Sequence, residues 1–361
     1  VTSLADAPLV ATGANSNARV HRGWIASPFF DASFLLAGPL IGLLTLIGVT
    51  EWSRGTLLIA ILAYFVGFPH YLSTFVFFLG DDQRAHYFSR PAAFLAGPLL
   101  IIGAVVTFRV TQEYFVVLAV IYVWNIWHVA LQSSGVVSLY RQLAGGSSRE
   151  KVPSLVAIVT ANAAMALWFA DSFAPFTKFT GILHPHALRY IAIALAGVAV
   201  IAVVMLVLRL SERTRSVTAG EVVALISALA LFHPYLWIRD LDVATFGMLI
   251  GHFVQYLALV WLIQARKYGV RSAGSVAQRA LAFVSSRVWT VIAVILGLGM
   301  VMVLLTRGLE RFGLHPRVVV VWNALALLHF YLDGLIWAFK RPFVRESLGP
   351  YVTVASHRIA A

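Results

Sequence analysis

Apolar residues run along this chain in ten long blocks separated by short polar breaks. The blocks cover residues 34–50, 57–79, 92–108, 114–139, 153–170, 188–208, 221–238, 244–264, 285–306 and 318–339. Each is about 17–26 residues long, and a helix rising 1.5 Å per residue needs about 20 to cross about 30 Å of hydrocarbon. The pattern predicts an all-α fold: a polytopic integral membrane bundle of about ten transmembrane helices. The transmembrane domain is expected over residues 31–340, with a polar segment at 1–30 and a tail at 341–361. Blocks 114–139 and 221–238 hold polar groups that a lipid-facing helix would avoid, so both are expected to face the bundle interior.

Composition agrees with this pattern. The 361 residues are 60% hydrophobic and 12% charged, against about 25% charged in soluble domains. There is no cysteine, which excludes disulfides, thiolate metal sites, iron–sulfur clusters and cysteine nucleophiles. The net charge of +12 suggests nucleic acid at first sight. The basic residues lie between the blocks, however, where anionic lipid and topology account for them. With alternating sides, 19 of the 27 Lys and Arg residues fall on the side that carries both termini and 8 on the other. That bias puts both termini in the cytoplasm. Residues 1–30 lack the apolar core of a signal peptide, so a multi-pass protein of the plasma membrane is expected, or of the inner membrane in a Gram-negative cell. The basic linker 265–284 fits a short amphipathic helix lying on the membrane surface.

The chemistry is carried by four histidines deep in four of the blocks: His70 (GFPHYLSTF), His128 (WNIWHVALQ), His252 (IGHFVQYLA) and His329 (LLHFYLDGLIW). Counted from the outer end of each helix, they lie about 12–21 Å in. All four are on helices that run in the same direction. An ionisable group at this depth is costly and signals function, and matched depth permits convergence on one site. Gln132, Gln255 and Asp333 stand three or four residues after a histidine and share its helix face. Asp333 is the one carboxylate near the middle of a block, suited to ligate, to orient an imidazole or to accept a proton. Gln132 and Gln255 fit outer positions that orient an imidazole or bind water. Three or four imidazoles with at most one carboxylate fit non-heme iron, copper or zinc, and argue against magnesium or calcium.

Blander roles exist for each residue. A lone membrane histidine commonly bridges helices through hydrogen bonds. His70 follows Pro69, whose missing N–H frees a carbonyl that His70 could satisfy. His233 reads as an interfacial anchor and His184 and His186 as a solvated outer turn. His21, His315 and His357 read as surface residues. Asp81, Asp82 and His86, like the segment RDLD at 239–242, read as charged interfacial loops. Aromatics crowd the histidines, among them Tyr71, Trp124, Trp127, Tyr256 and Phe330. They would suit a long apolar ligand, while Trp261 and Trp337, near helix ends, fit a membrane belt.

The stretch GFPHYLSTF is similar to the glycine–aliphatic–proline–histidine motif of the Brp/Blh-like integral-membrane carotene dioxygenases. The stretch YVWNIWHVALQ resembles that family's aromatic-Trp-His helix. The resemblance covers these two stretches and implies a histidine-only iron site, with His70 and His128 as ligands. This chain departs from the family at Gln132, where a second histidine is expected. It departs again after Pro-His, where Tyr71 and Thr74 replace glycine and aspartate.

The first expectation is a metal-dependent membrane oxidoreductase or oxygenase. It would have non-heme iron on His70, His128, His252 and His329, with Asp333, Gln132 and Gln255 in the catalytic surroundings and a lipophilic substrate arriving from the bilayer. Its partners would be that small molecule and membrane lipids, without nucleic acid, and a homo-oligomer or a larger complex is compatible with it. The alternatives are a haem- or pigment-binding electron-transfer subunit, a proton-coupled transporter using His329 and Asp333, and a structural subunit without chemistry.

Overall fold

The computed structural model describes residues 23–52, 55–172, 186–213, 216–269, 275–313 and 315–353. Among the described residues the chain is helical, with no strand. Nine helices are long and apolar enough to cross a membrane: α2 (Gly55–Phe78), α3 (Ala92–Val110), α4 (Tyr114–Leu143), α5 (Ser148–Leu167), α6 (Ala187–Ser211), α7 (Ala219–Trp237), α8 (Leu241–Tyr268), α9 (Val288–Arg311) and α10 (His315–Ile336). Pro28–Leu35 and Gly38–Glu51, together α1, meet at a bend of 48° and form either one broken span or a re-entrant pair. His21, His184, His357 and the side chains of Asp81, Asp82 and His315 lie outside the described residues.

The α1 block reads as continuous from residue 34, but the helix begins at Pro28 and breaks at residues 36–37. The cause is Pro39. Lacking an N–H, it cannot bond the carbonyl four residues earlier, that of Leu35. Gln255 of α8 donates its amide Nε2 to that carbonyl at 2.5 Å. The carbonyl of Pro39 itself accepts from His233 Nε2 on α7 at 3.0 Å, so His233 bridges two helices. In lipid a broken helix persists only when neighbours satisfy its freed groups in this way.

α8 is the hub. Of its apolar stretch 72% is buried, against 6% for α3 and 11% for α9, which therefore form the outer wall. The outer faces display large apolar side chains such as Leu100, Ile201 and Leu304, a surface suited to hydrocarbon rather than water. Against α8 packs α1 through two GxxxG pairs, Gly38 with Gly42 and Gly247 with Gly251. A Cβ on Gly42 would lie 2.9 Å from the Gly247 carbonyl oxygen, and one on Gly251 would overlap the Gly38 carbonyl. Small residues spaced four apart allow this backbone approach, and it sets the position of His252, the next residue along α8.

Both ends of the bundle chain meet at one side. Arg266 of α8 donates to the carbonyls of Ile25 (2.5 Å), Tyr351 (3.0 Å) and Val352 (3.1 Å). Asp31, fully buried, accepts the backbone N–H groups of Ile25 at 2.5 Å and Ala26 at 3.0 Å. At the end of α6, Arg213 pairs bidentately with Glu150 and Glu221. Its Nε bonds Glu150 at 2.7 Å, its Nη1 and Nη2 bond Glu221 at 2.7 and 2.8 Å, and a further contact joins Nη2 to Glu150. Hydrogen bonding to the two carboxylates holds the guanidinium above its already high ordinary pKa. The linker after α8 contains the helix Val276–Ser285, which leaves Val276 and Phe283 exposed beside Arg279.

Candidate metal centre

The four histidines converge from α2, α4, α8 and α10. Their ring centroids lie 4.3 Å apart for His70–His329, 4.9 Å for His70–His252, 5.0 Å for His128–His329 and 5.5 Å for His128–His252. Exposure is 0% for His70 and His329, 1% for His252, 3% for Asp333 and 8% for His128, so bulk water does not reach the cluster. Two donor groupings have all their atoms within 4.8 Å of one another: His70, His252 and His329, and His128, His329 and Asp333. Asp333 Oδ2 is 3.6 Å from His329 Nε2 and 4.0 Å from His128 Nε2.

Local chain geometry explains why these side chains face inward. α2 widens to a π-turn over Ala63–Gly67 just before Pro69, then tightens to a 3₁₀ turn over Thr74–Phe78. Such departures from regular helix are common at functional sites, and this one absorbs the proline while turning His70 and Thr74 to one face. Gly67 leaves room for Phe253, whose ring would stand 3.0 Å from a Cβ there. Phe253 in turn stacks on His70 with centroids 4.3 Å apart. Phe330 lies against His128 at 4.7 Å, so apolar rings form the walls.

Ring nitrogens in the cluster are without hydrogen-bond partners: both on His70, both on His252, and Nε2 on His128 and on His329. Asp333 Oδ2 is also unpaired. His70 therefore does not satisfy the carbonyl freed by Pro69. Orphaned buried polar atoms are rare and call for an unseen partner. Each neutral imidazole offers one lone-pair nitrogen, and the donor atoms fall into two adjoining groups that share His329, a donor set that suits a transition-metal ion.

Around the cluster runs a hydrogen-bonded network that ties the expected site residues His329 and Asp333 to Thr74, Tyr256 and Trp337, which residue spacing alone does not assign to the site. Tyr256 OH donates to Asp333 Oδ1 at 2.7 Å and accepts from Trp337 Nε1 at 3.2 Å. Thr74 Oγ1 donates to Asp333 Oδ1 at 3.0 Å. The same oxygen lies 2.6 Å from His329 Nδ1 and 3.1 Å from Tyr256 OH. Trp337 thus serves the site as well as standing near a helix end. Gln255 spends its amide N–H on Leu35, and Gln132, half-buried, leaves both amide atoms without a partner.

The other polar positions fall elsewhere. His86 stacks on Phe343 with centroids 3.5 Å apart, and Asp240 caps the start of α8 by accepting from the N–H groups of Asp242 and Val243. Trp124 and Trp127 line a shallow groove on α4 with Ala119, Val120 and Val123, and Trp124 meets Phe330 at 6.2 Å. Compared with protein-family models, with curated proteins and with solved structures, the chain matches none of them.

Proposed function

We propose that this protein is a membrane metalloenzyme that holds one non-heme transition metal, iron, in its four-histidine cluster and oxidises or oxygenates a lipophilic substrate. The observation that carries this reading is the convergence of unpaired imidazole nitrogens from four helices. Rings packed 4.3–5.5 Å apart leave room for an ion rather than a macrocycle, which favours a bare metal over haem. His70, His252 and His329 would supply three nitrogens. His128 and Asp333 Oδ2 stand close enough to complete the set or to face a bound molecule. The metal would supply redox and Lewis-acid chemistry.

The chain's own residues supply the rest. Phe253 and Phe330 exclude water, and Asp333 places one unpaired oxygen beside the cluster as a ligand or proton acceptor. The apolar groove beside Trp124 gives a hydrocarbon molecule a place to rest one ring layer from His128. A substrate that dissolves in the bilayer reaches that groove without leaving lipid.

Elemental analysis and a visible spectrum of detergent-purified protein, reconstituted anaerobically with ferrous iron, test the reading. About one iron per chain without a Soret band is expected, with oxygen uptake when an extract of membrane lipids is added. Failure to retain any metal overturns the metalloenzyme, and a Soret band replaces it with a haem carrier.

A further inference from the structure

We infer that Thr74 is a positioning residue that holds His329 in its Nδ1–H tautomer and so presents the Nε2 lone pair to the metal. The inference rests on the metal reading above and adds a group to it.

The argument is a count of hydrogens. Tyr256 has one hydroxyl hydrogen, given to Asp333 Oδ1 at 2.7 Å, while its oxygen accepts from Trp337. Thr74 also has one hydrogen, with three neighbours: Asp333 Oδ1 at 3.0 Å, Tyr256 OH at 3.1 Å and His329 Nδ1 at 2.6 Å. A carboxylate is the strongest acceptor of the three. With that hydrogen on Asp333, the Thr74 oxygen offers only lone pairs to His329, and a 2.6 Å contact then requires a proton on Nδ1.

The opposite arrangement fails. If Thr74 donated to Nδ1, the proton of His329 would sit on Nε2 and point into the cluster. His329 Nε2 has no hydrogen-bond partner there, and Asp333 Oδ2, at 3.6 Å, is beyond hydrogen-bond range. A buried N–H would be left unpaired among three other imidazoles, at a cost that the first arrangement avoids. A ligating histidine usually has its second nitrogen fixed by such an outer partner. Thr74 fills that place from the same helix that carries His70, and it holds Asp333 Oδ1 at the same time, so that only Oδ2 faces the cluster.

Cobalt(II) serves as the probe, titrated anaerobically into the metal-free full-length protein and followed by its visible d–d bands. Thr74→Val keeps the side chain's shape and removes the hydroxyl, while Thr74→Ser restores the hydroxyl without the methyl. The expected result is a loss of cobalt affinity of about 10–100-fold in Thr74→Val, with altered bands, and recovery of both in Thr74→Ser. A Thr74→Val protein that titrates like wild type overturns the inference. So does a Thr74→Ser protein that remains as weak as Thr74→Val, because the hydroxyl would then not be the acting group. If wild type itself binds no cobalt, the metal reading falls first, which distinguishes that failure from a failure of Thr74 alone.

Discussion

His70 and His329 lie with ring centroids 4.3 Å apart and planes inclined by 61°, although one stands on α2 and the other on α10. Neither His70 nitrogen has a hydrogen-bond partner, so the pair is not a hydrogen-bonded bridge between helices. Replacing His70, His252 or His329 by Ala should lower metal affinity by more than the about 10–100-fold typical of losing an outer partner. Metal per chain after dialysis, measured for each variant, checks this. Unchanged stoichiometry in all three would rule out a shared site.

Asp333 has two separable jobs. Asp333→Asn retains an acceptor for Thr74 and Tyr256 but loses the charge at Oδ2, so the protein should fold while binding metal about 10–100-fold more weakly. Asp333→Leu removes the shared acceptor of the Thr74 and Tyr256 hydroxyls; one can turn to the other at 3.1 Å, and the hydrogen left over costs about 1–3 kcal/mol. Its melting temperature in detergent should therefore fall well below that of Asp333→Asn. Equal melting of the two variants would show that the network does not depend on this carboxylate.

The glycine contact between α1 and α8 should be intolerant of side chains. Gly42→Leu meets backbone 2.9 Å away, which cannot yield as a flexible side chain would. Overpacking of this kind typically costs about 1–3 kcal/mol, and displacement of α8 should reduce metal occupancy through His252. Gly103→Leu on α3, where a Cβ would meet nothing within 4 Å, is the matched control and should leave both stability and metal unchanged. Parallel thermal melts and metal assays decide between the two outcomes.

Arg213 joins Glu150 and Glu221 at one end of the bundle. Arg213→Met would strip Glu221 of its hydrogen-bonded partner and leave Glu150 only the 3.8 Å contact with Arg141, and breaking a buried pair costs about 3–5 kcal/mol. A drop in melting temperature with unchanged metal content is expected, since the ion cluster lies at the bundle end. Loss of metal before loss of fold would contradict that separation. Because the pairing raises an arginine pKa that is already high, Arg213 stays charged and contributes no pH dependence near neutrality.

Much of this was readable from the chain. The apolar blocks announced the crossings, since helix length in lipid is set by the bilayer. Equal depth singled out His70, His128, His252 and His329 because depth follows from residue counting alone. Partner choice was less legible. Gln255, three residues after His252, looked like the orienting group, whereas Tyr256, four residues after it, takes part in the network. The same spacing relates Thr74 to His70, Asp333 to His329 and Trp337 to Asp333, a repeated step of four that could have been noticed. Its aromatic members were hidden because a membrane chain is rich in aromatics that do nothing but pack. The break in α1 was marked by Pro39, but the donor that accommodates it stands on a distant helix, and no local pattern names it.

The four histidines stand on α2, α4, α8 and α10, in that order along the chain. His329 and Asp333 belong to the last of them, and the C-terminal carbonyls that clasp Arg266 follow later still. Until α10 is made, a nascent chain therefore carries His70, His128 and His252 without Asp333 and without the fourth wall. On the proposed metal reading, the complete donor set exists only once α10 has joined α2, α4 and α8, so a chain truncated before residue 329 should not retain metal in proportion to its length.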